Sequence, residues 1–271
     1  KEGEMPDVNT ASLGGVDGII ILGAPASYFG TAVSGLGDVN GDGIDDIVAS
    51  GLFYRAFYPS RTSAGMAVIL FGKRSGWTDI DMSTFTAAND LGFRVIGAKT
   101  SDRIGRAVSG AGDVNGDGYA DIIITSADDG SPDRPSAGKS FVLFGHSNAS
   151  SFPDIDLGNH IFTSTTGFQI VGSYTSHLVG SAVSGGVDLN NDGYSDVVVG
   201  SSHRGSIYVV YGGNSSISYN DTYYLSSLVD PAQSWGFRIT GAARGYYYRD
   251  LSISSAGDIN ADGIDDLVIG V

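Results

Sequence analysis

The residues best placed for chemistry are acidic and recur as a set. The nonapeptide DVNGDGIDD at 38–46 returns as DVNGDGYAD at 113–121, DLNNDGYSD at 188–196 and DINADGIDD at 258–266. Each copy carries side-chain oxygens at its positions one, three, five and nine, glycine at six, and a backbone carbonyl at seven. The first copy provides Asp38, Asn40, Asp42, Asp46 and the Ile44 carbonyl, and the second Asp113, Asn115, Asp117, Asp121 and the Tyr119 carbonyl. The third provides Asp188, Asn190, Asp192, Asp196 and the Tyr194 carbonyl, and the fourth Asp258, Asn260, Asp262, Asp266 and the Ile264 carbonyl. Hard oxygens around a tight turn suit Ca²⁺, which takes about six to eight of them, whereas Mg²⁺ keeps several waters. No loop contains His or Cys, which disfavours Zn²⁺. An EF-hand would need Glu at position twelve between helices, but Ala49, Ile124, Val199 and Ile269 stand there. Asp and Asn also favour solvated turns. Four copies with the same donors at the same offsets, each grouping carboxylates that repel without a cation, point instead to four Ca²⁺ sites, structural in role.

These loops sit inside a larger repeat. They begin at Asp38, Asp113, Asp188 and Asp258, in steps of 75, 75 and 70 residues. Before them stand GTAVSG, GRAVSG, GSAVSG and LSISSAG, and after them DIVASG, DIIITS, DVVVGS and DLVIGV. Further on come GMAVILFG, GKSFVLFG and GSIYVVYG, then GFRVIGA, GFQIVGS and GFRITGA. Each is a short β-favouring run bounded by turn residues, so one repeat reads as four strands. The second strand is almost continuously apolar, as when both faces are covered. The fold class expected is therefore all-β, a β-propeller of four-stranded antiparallel blades. The pattern holds about three complete blades plus partial ones, with one strand before them and two after. The whole of 1–271 reads as one propeller segment, part of a larger array, with more chain or another subunit covering the open last blade.

Bulk properties narrow the function. The 271 residues carry a net charge of −15, which disfavours nucleic acid and anionic membrane surfaces. Cysteine is absent, so disulfides, thiolate metal sites and cysteine nucleophiles are excluded. No apolar run is long enough for a membrane helix, and KEGEMPDVN is not a signal peptide. G-x-S-x-G and H-E-x-x-H do not occur, and GKS at 138–140 has Asp133 where a P-loop needs glycine. The four histidines, at 146, 160, 177 and 203, are scattered. No enzyme is expected, although His177 and His203 fall in connections on one face.

The order of YFG, the DxNxDGxxD loop, a DDIV-type strand and a G-x-V-x-x-F-G strand resembles the FG-GAP repeat of integrin α chains and other surface proteins. That resemblance implies a Ca²⁺-binding propeller whose loops lie on the lower face, away from the ligand, and an extracellular or cell-surface location. The literal FG is kept only as Phe29-Gly30; Ile104-Gly105, Val179-Gly180 and Asp250-Leu251 replace it, and the only GAP is Gly23-Ala24-Pro25.

The connections on the opposite face hold most of the arginines and many aromatics. Tyr54, Arg55, Tyr58, Arg204, Arg244, Tyr247 and Arg249 are the candidate partner-binding residues there, because Tyr and Arg anchor interfaces. Arg61, Arg103 and Arg134 share that face. The function expected is an extracellular, Ca²⁺-stabilised adhesion or assembly module with a protein or glycan ligand on that face. A carbohydrate-binding propeller, or a scaffold joined to an enzyme domain, stands as the alternative.

Overall fold

The computed structural model describes residues 18–57, 60–87, 90–128, 134–147, 152–202, 205–213, 222–226, 235–241 and 251–271. Among these there is no α-helix. A short β1 (Ile21–Leu22) precedes the first full sheet, built from β2 (Phe29–Gly37), β3 (Asp46–Gly51), β6 (Met66–Leu70) and β8 (Gly92–Ile96). A hairpin of β4 (Ala56–Phe57) and β5 (Ser60–Arg61) fills the connection from β3 to β6, and β7 (Ile80–Asp81) lies between β6 and β8. The second sheet contains β9 (Val108–Gly112), β10 (Asp121–Ser126), β11 (Lys139–Leu143) and β13 (Gly167–Val171), with β12 (Ile155–Asp156) in its last connection. The third contains β14 (Val179–Val187), β15 (Asp196–Ser201), β16 (Ser206–Val210) and β18 (Gly236–Ile239), with β17 (Thr222–Tyr224) before β18. A hairpin of β19 (Ser252–Gly257) and β20 (Asp266–Gly270) follows. Within each of the three sheets the four named strands form an antiparallel meander, in which strands that follow one another are neighbours.

The sheets pack face to face, so each middle strand is covered on both sides. In β10, Ile122 and Ile124 face the first sheet alongside Ile69, Phe93 and Val95, while Ile123 faces the third alongside Val197, Val199 and Tyr208. This explains the unbroken apolar run: alternation of side chains sends successive residues into two different cores. Met66, Val68 and Leu70 of β6 face back towards Ile21, Ile80 and Phe85. Val198, Ile207 and Val209 of the third sheet meet Leu251, Ile253 and Ile269. These are stacked blades of a β-propeller.

The glycine of the FG position has a stereochemical reason. Gly30, Gly105 and Gly180 all take positive φ, of 86°, 89° and 89°. A Cβ on Gly105 would stand 2.5 Å from the Cβ of Ser50 in the preceding sheet. The Ser50 hydroxyl donates to the Gly105 carbonyl at 2.8 Å, as Thr125 does to Gly180 at 2.8 Å. The residue before the glycine only fills a core, so Ile104 and Val179, both fully buried, replace phenylalanine.

The four-stranded antiparallel blades carry an addition at their outer edge. A fifth strand, two or three residues long, leaves each repeat's last connection and pairs in parallel with the outer strand of the sheet before it. β7 pairs with β1, β12 with β8 and β17 with β13. Polar side chains fasten the seam. Asp154 accepts from the Arg94 amide at 2.8 Å and from its guanidinium; at the equivalent place Gln169 donates to Thr222 at 2.9 Å. Arg61 spans the same seam, donating to both Asp156 carboxylate oxygens at 2.8 and 2.6 Å and to the Gly97 carbonyl at 2.6 Å. Its position in a connection suggests a surface arginine, but it is only 6% exposed and is a structural cross-link.

The hydrogen-bonded Arg61 guanidinium holds the Asp156 carboxyl below its ordinary value of 3.8. A depressed carboxylate contributes stability above the unfolded-state value and loses that contribution as pH falls through the folded one. Asp156→Asn should lower unfolding stability by about 2 kcal/mol at neutral pH, in the range of hydrogen bonds to charged groups. Chemical denaturation of both chains should show the gap closing below about pH 4, near the unfolded carboxylate value.

Candidate metal centres

Each acidic nonapeptide bridges the first and second strands of its sheet. The residue before the loop pairs with position nine: Gly37 with Asp46, Gly112 with Asp121, Val187 with Asp196 and Gly257 with Asp266. A register shift next to this pair kinks the first strand into the loop. The position-one carboxylate then organises the turn. Asp38 Oδ1 accepts from the amides of Gly41 and Asp42 at 2.7 and 3.1 Å, and its Oδ2 from Gly43 at 2.8 Å. Asp113 repeats all three bonds, and Asp188 and Asp258 repeat those from positions five and six. At position three, the Asn40 side-chain oxygen accepts from the Asp42 amide at 2.9 Å, and its amide group faces Asp42 Oδ2 at 3.3 Å.

Position nine latches the loop to the rest of the blade. Asp46 Oδ2 accepts from the Val39 amide at 2.9 Å, and its Oδ1 from the Gly72 amide at 2.7 Å, at the end of the third strand. Asp121 binds Val114 and Gly145 in the same way, and Asp196 binds Leu189 and Gly212. These glycines close the FG, FG and YG pairs that follow the third strand, a recurrence visible in the sequence whose purpose is not. A Cβ on Gly145 would lie 2.4 Å from the Ala120 carbonyl oxygen.

In the first three loops the position-nine carboxylate is buried, Asp46 at 1% exposure and both Asp121 and Asp196 at 0%, whereas Asp266 is half-buried. Burial pushes Asp121 up to about 8 and Asp46 and Asp196 up to about 6; backbone amides oppose the shift, and the charges at positions five and one add to it. Asp258, in the most exposed loop, is shifted down by the Gly263 amide bond. Among the described residues no salt bridge reaches a loop carboxylate. Nor do three or more of the described acidic or histidine side chains converge at metal-binding distance. Their oxygens are turned onto the loops' own amides, and each retains further acceptor capacity.

Two positions per loop are left-handed. Position six is Gly43, Gly118, Gly193 and Gly263, with φ of 80°, 91°, 88° and 87°. Position four is Gly41, Gly116, Asn191 and Ala261, with φ of 74°, 72°, 57° and 60°. Asparagine tolerates this region, whereas alanine is strained there by about 1–2 kcal/mol.

Of the other candidate residues, Tyr54 and Arg55 follow β3 at its end away from the acidic loop. Tyr54 is half-buried against the Met66 and Leu70 cluster, and exposed Arg55 lies 3.5 Å from the Ser60 hydroxyl. Tyr58, Arg204, Arg244, Tyr247, Arg249 and His203 lie outside the described residues, as do Asn148, Asn214 and Asn220 of the three N-x-S/T sequons. Arg103 pairs with Asp128 at 3.1 Å and stacks over Phe53, and Arg134 stacks over Tyr224. His177 does not contribute to a surface site. It is 1% exposed, its Nδ1 accepts from the Ser173 amide at 3.1 Å and its Nε2 lies 2.8 Å from the Tyr208 hydroxyl. A cavity of about 440 Å³ between the first two sheets includes Phe93, Phe144 and Phe152 in its walls, and its carboxylates Asp154 and Asp156 are committed to Arg94 and Arg61.

Residues 29–70, 105–143 and 179–217 each match the FG-GAP repeat, and each match takes in one of the first three acidic loops. The chain carries FG-GAP repeats. It is similar to integrin alpha-V of Gallus gallus, 29% identical over 252 residues that cover 90% of this chain and 20% of that protein. It is also similar to integrin alpha-11 of Homo sapiens, 30% identical over 58% of this chain and 12% of that protein. Phosphatidylinositol-glycan-specific phospholipase D of Bos taurus is 27% identical over 62% of this chain and 18% of its own length. The chain thus spans a fifth or less of the length of these relatives. Among the described residues no helix is long and apolar enough to cross a membrane.

Ala261→Gly should stabilise the fourth acidic loop by about 1 kcal/mol, through relief of left-handed strain. Its thermal midpoint, measured in EGTA against the parent chain, is the check.

Proposed function

We propose that this segment is an extracellular protein-interaction module stabilised by Ca²⁺ in its four acidic loops. The observation that carries the reading is the buried position-nine carboxylate of the first three loops, pushed up further by the charges of two other loop carboxylates, with no cationic side chain against it among the described residues. Such a group is costly to bury unless a cation compensates it. The donor set fits Ca²⁺, being oxygen only. Asp38, Asn40, Asp42, Asp46 and the Ile44 carbonyl would hold it in the first loop, and their counterparts from 113, 188 and 258 in the others. When bound, Ca²⁺ supplies two positive charges and a demand for about six to eight oxygens. The loop residues fix the hairpin between the first two strands and, through position nine, the end of the third.

With Ca²⁺ at about 100 times its dissociation constant, each filled loop adds about 2.7 kcal/mol to folding. Thermal unfolding in millimolar Ca²⁺ should therefore lie well above that in EGTA, and Asp113→Ala should remove part of the difference. Equal midpoints in the two buffers would sink the calcium reading.

The partner face is the end of the sheets opposite the loops. Tyr54 and Arg55 lie there. The reading extends to Tyr58, Arg204, Arg244, Tyr247 and Arg249 because the order of repeats in the sequence assigns their connections to the same face. Support comes from the integrin alpha relatives and from the Tyr- and Arg-rich character of these connections. Tyr247→Ala combined with Arg249→Ala should weaken capture of an extracellular protein by at least about tenfold, as expected for interface anchors. Unchanged capture would remove these residues from the partner site, and retention on a glycan array would make the ligand a carbohydrate. The likeness to phosphatidylinositol-glycan-specific phospholipase D favours a second reading, a non-catalytic scaffold beside an enzyme domain. A segment that captures nothing alone, yet stabilises an attached hydrolase, would support that reading.

A further inference from the structure

Successive acidic loops touch one another. The amide of Ala120, at position eight of the second loop, donates to the carbonyl of Asp38, at position one of the first, at 2.9 Å. Ser195 donates to Asp113 at 3.0 Å and Asp265 to Asp188 at 3.2 Å, so the same bond joins every neighbouring pair. An aromatic ring accompanies the first two. Tyr119, at position seven of the second loop, lies against Gly41, at position four of the first; a Cβ on Gly41 would stand 2.4 Å from Tyr119 Cε1. Tyr194 meets Gly116 in the same way, with 2.3 Å to Cε1. At the third junction Asn191 and Ile264 hold these positions, and the Asp265 carboxylate instead accepts from the Asp188 amide at 2.9 Å.

We propose that Tyr119 and Tyr194 are positioning residues for the loop of the preceding blade, so that Ca²⁺ binding in one loop raises the affinity of the loop before it. The inference rests on the calcium reading above. Positions seven and nine donate a carbonyl and a carboxylate to their own loop, and position eight lies between them. Ordering that tripeptide fixes both the amide that holds the preceding position one and the ring that braces the preceding left-handed turn. That turn joins Asn40 to Asp42 in the first loop and Asn115 to Asp117 in the second. Coupling of this kind is reciprocal, because each occupied site stabilises the arrangement its neighbour needs.

One glycine amide per loop reports occupancy. Gly43, Gly118, Gly193 and Gly263 donate to the position-one carboxylate of their own loop at 2.8, 2.9, 2.8 and 2.8 Å. The experiment is a CaCl₂ titration of the full chain followed by ¹H–¹⁵N correlation spectra. Tyr119→Ala keeps the position-seven carbonyl, and should shift the Gly43 titration to about fivefold higher Ca²⁺ or more, the lower end of coupling between sites. The Gly193 titration should stay in place, and Tyr119→Phe, which keeps the ring, should restore Gly43. Tyr194→Ala asks the same question of Gly118, and decides it if Tyr119→Ala does not fold. Responsive amides with an unmoved Gly43 or Gly118 in the folded alanine variants would overturn the coupling and leave the calcium reading intact. Four amides that ignore Ca²⁺ in the parent chain would overturn both.

Discussion

At the root of each of the first three acidic loops lies a carboxylate that solvent barely reaches. Asp46, Asp121 and Asp196 each receive two backbone amides, one from their own loop and one from the end of the third strand. Those bonds make position nine the joint at which three strands of a sheet are fixed relative to one another. They do not cancel the desolvation of the charge, which is why the carboxyl groups shift upward rather than down. The joint is geometrically complete and electrostatically unfinished. The divalent cation proposed above, shared with positions one and five, would finish it.

The rest of the architecture follows from stacking sheets made at such joints. Both faces of β10, β11, β15 and β16 are covered, and several polar cross-links between repeats stand at the seams. Arg61, Arg94 and Gln169 all act at the outer seam, and Ser50 and Thr125 at the inner one. Each reaches across to a residue of a neighbouring repeat.

Much of this was legible in the sequence, because it depends on local patterns. The loops announce themselves by donors at fixed offsets, and the strands by β-branched runs between turn residues. What escaped depends on partners far away in the chain. β7, β12 and β17 are too short for alternation to register, although the recurring DID at 79–81 and 154–156 was a signal for two of them. Arg61 reads as a surface residue until Asp156 is found beside it, 95 positions later. His177 reads as a loop histidine until the Tyr208 hydroxyl closes its second nitrogen. The position-four conformation was hidden for a different reason: glycine, asparagine and alanine share one backbone shape there without sharing a residue type.

The parallel fifth strand puts the unit of sequence out of step with the unit of structure. As the chain emerges from a ribosome, β6 and β8 can pair as soon as both are made, but the outer edge of β8 waits for β12 in the following repeat. Each blade is therefore finished by its successor, and the newest blade on a growing chain is always the one with an exposed edge. A chaperone that recognises unpaired strand edges would find one such site at a time, moving along the nascent chain in the direction of synthesis.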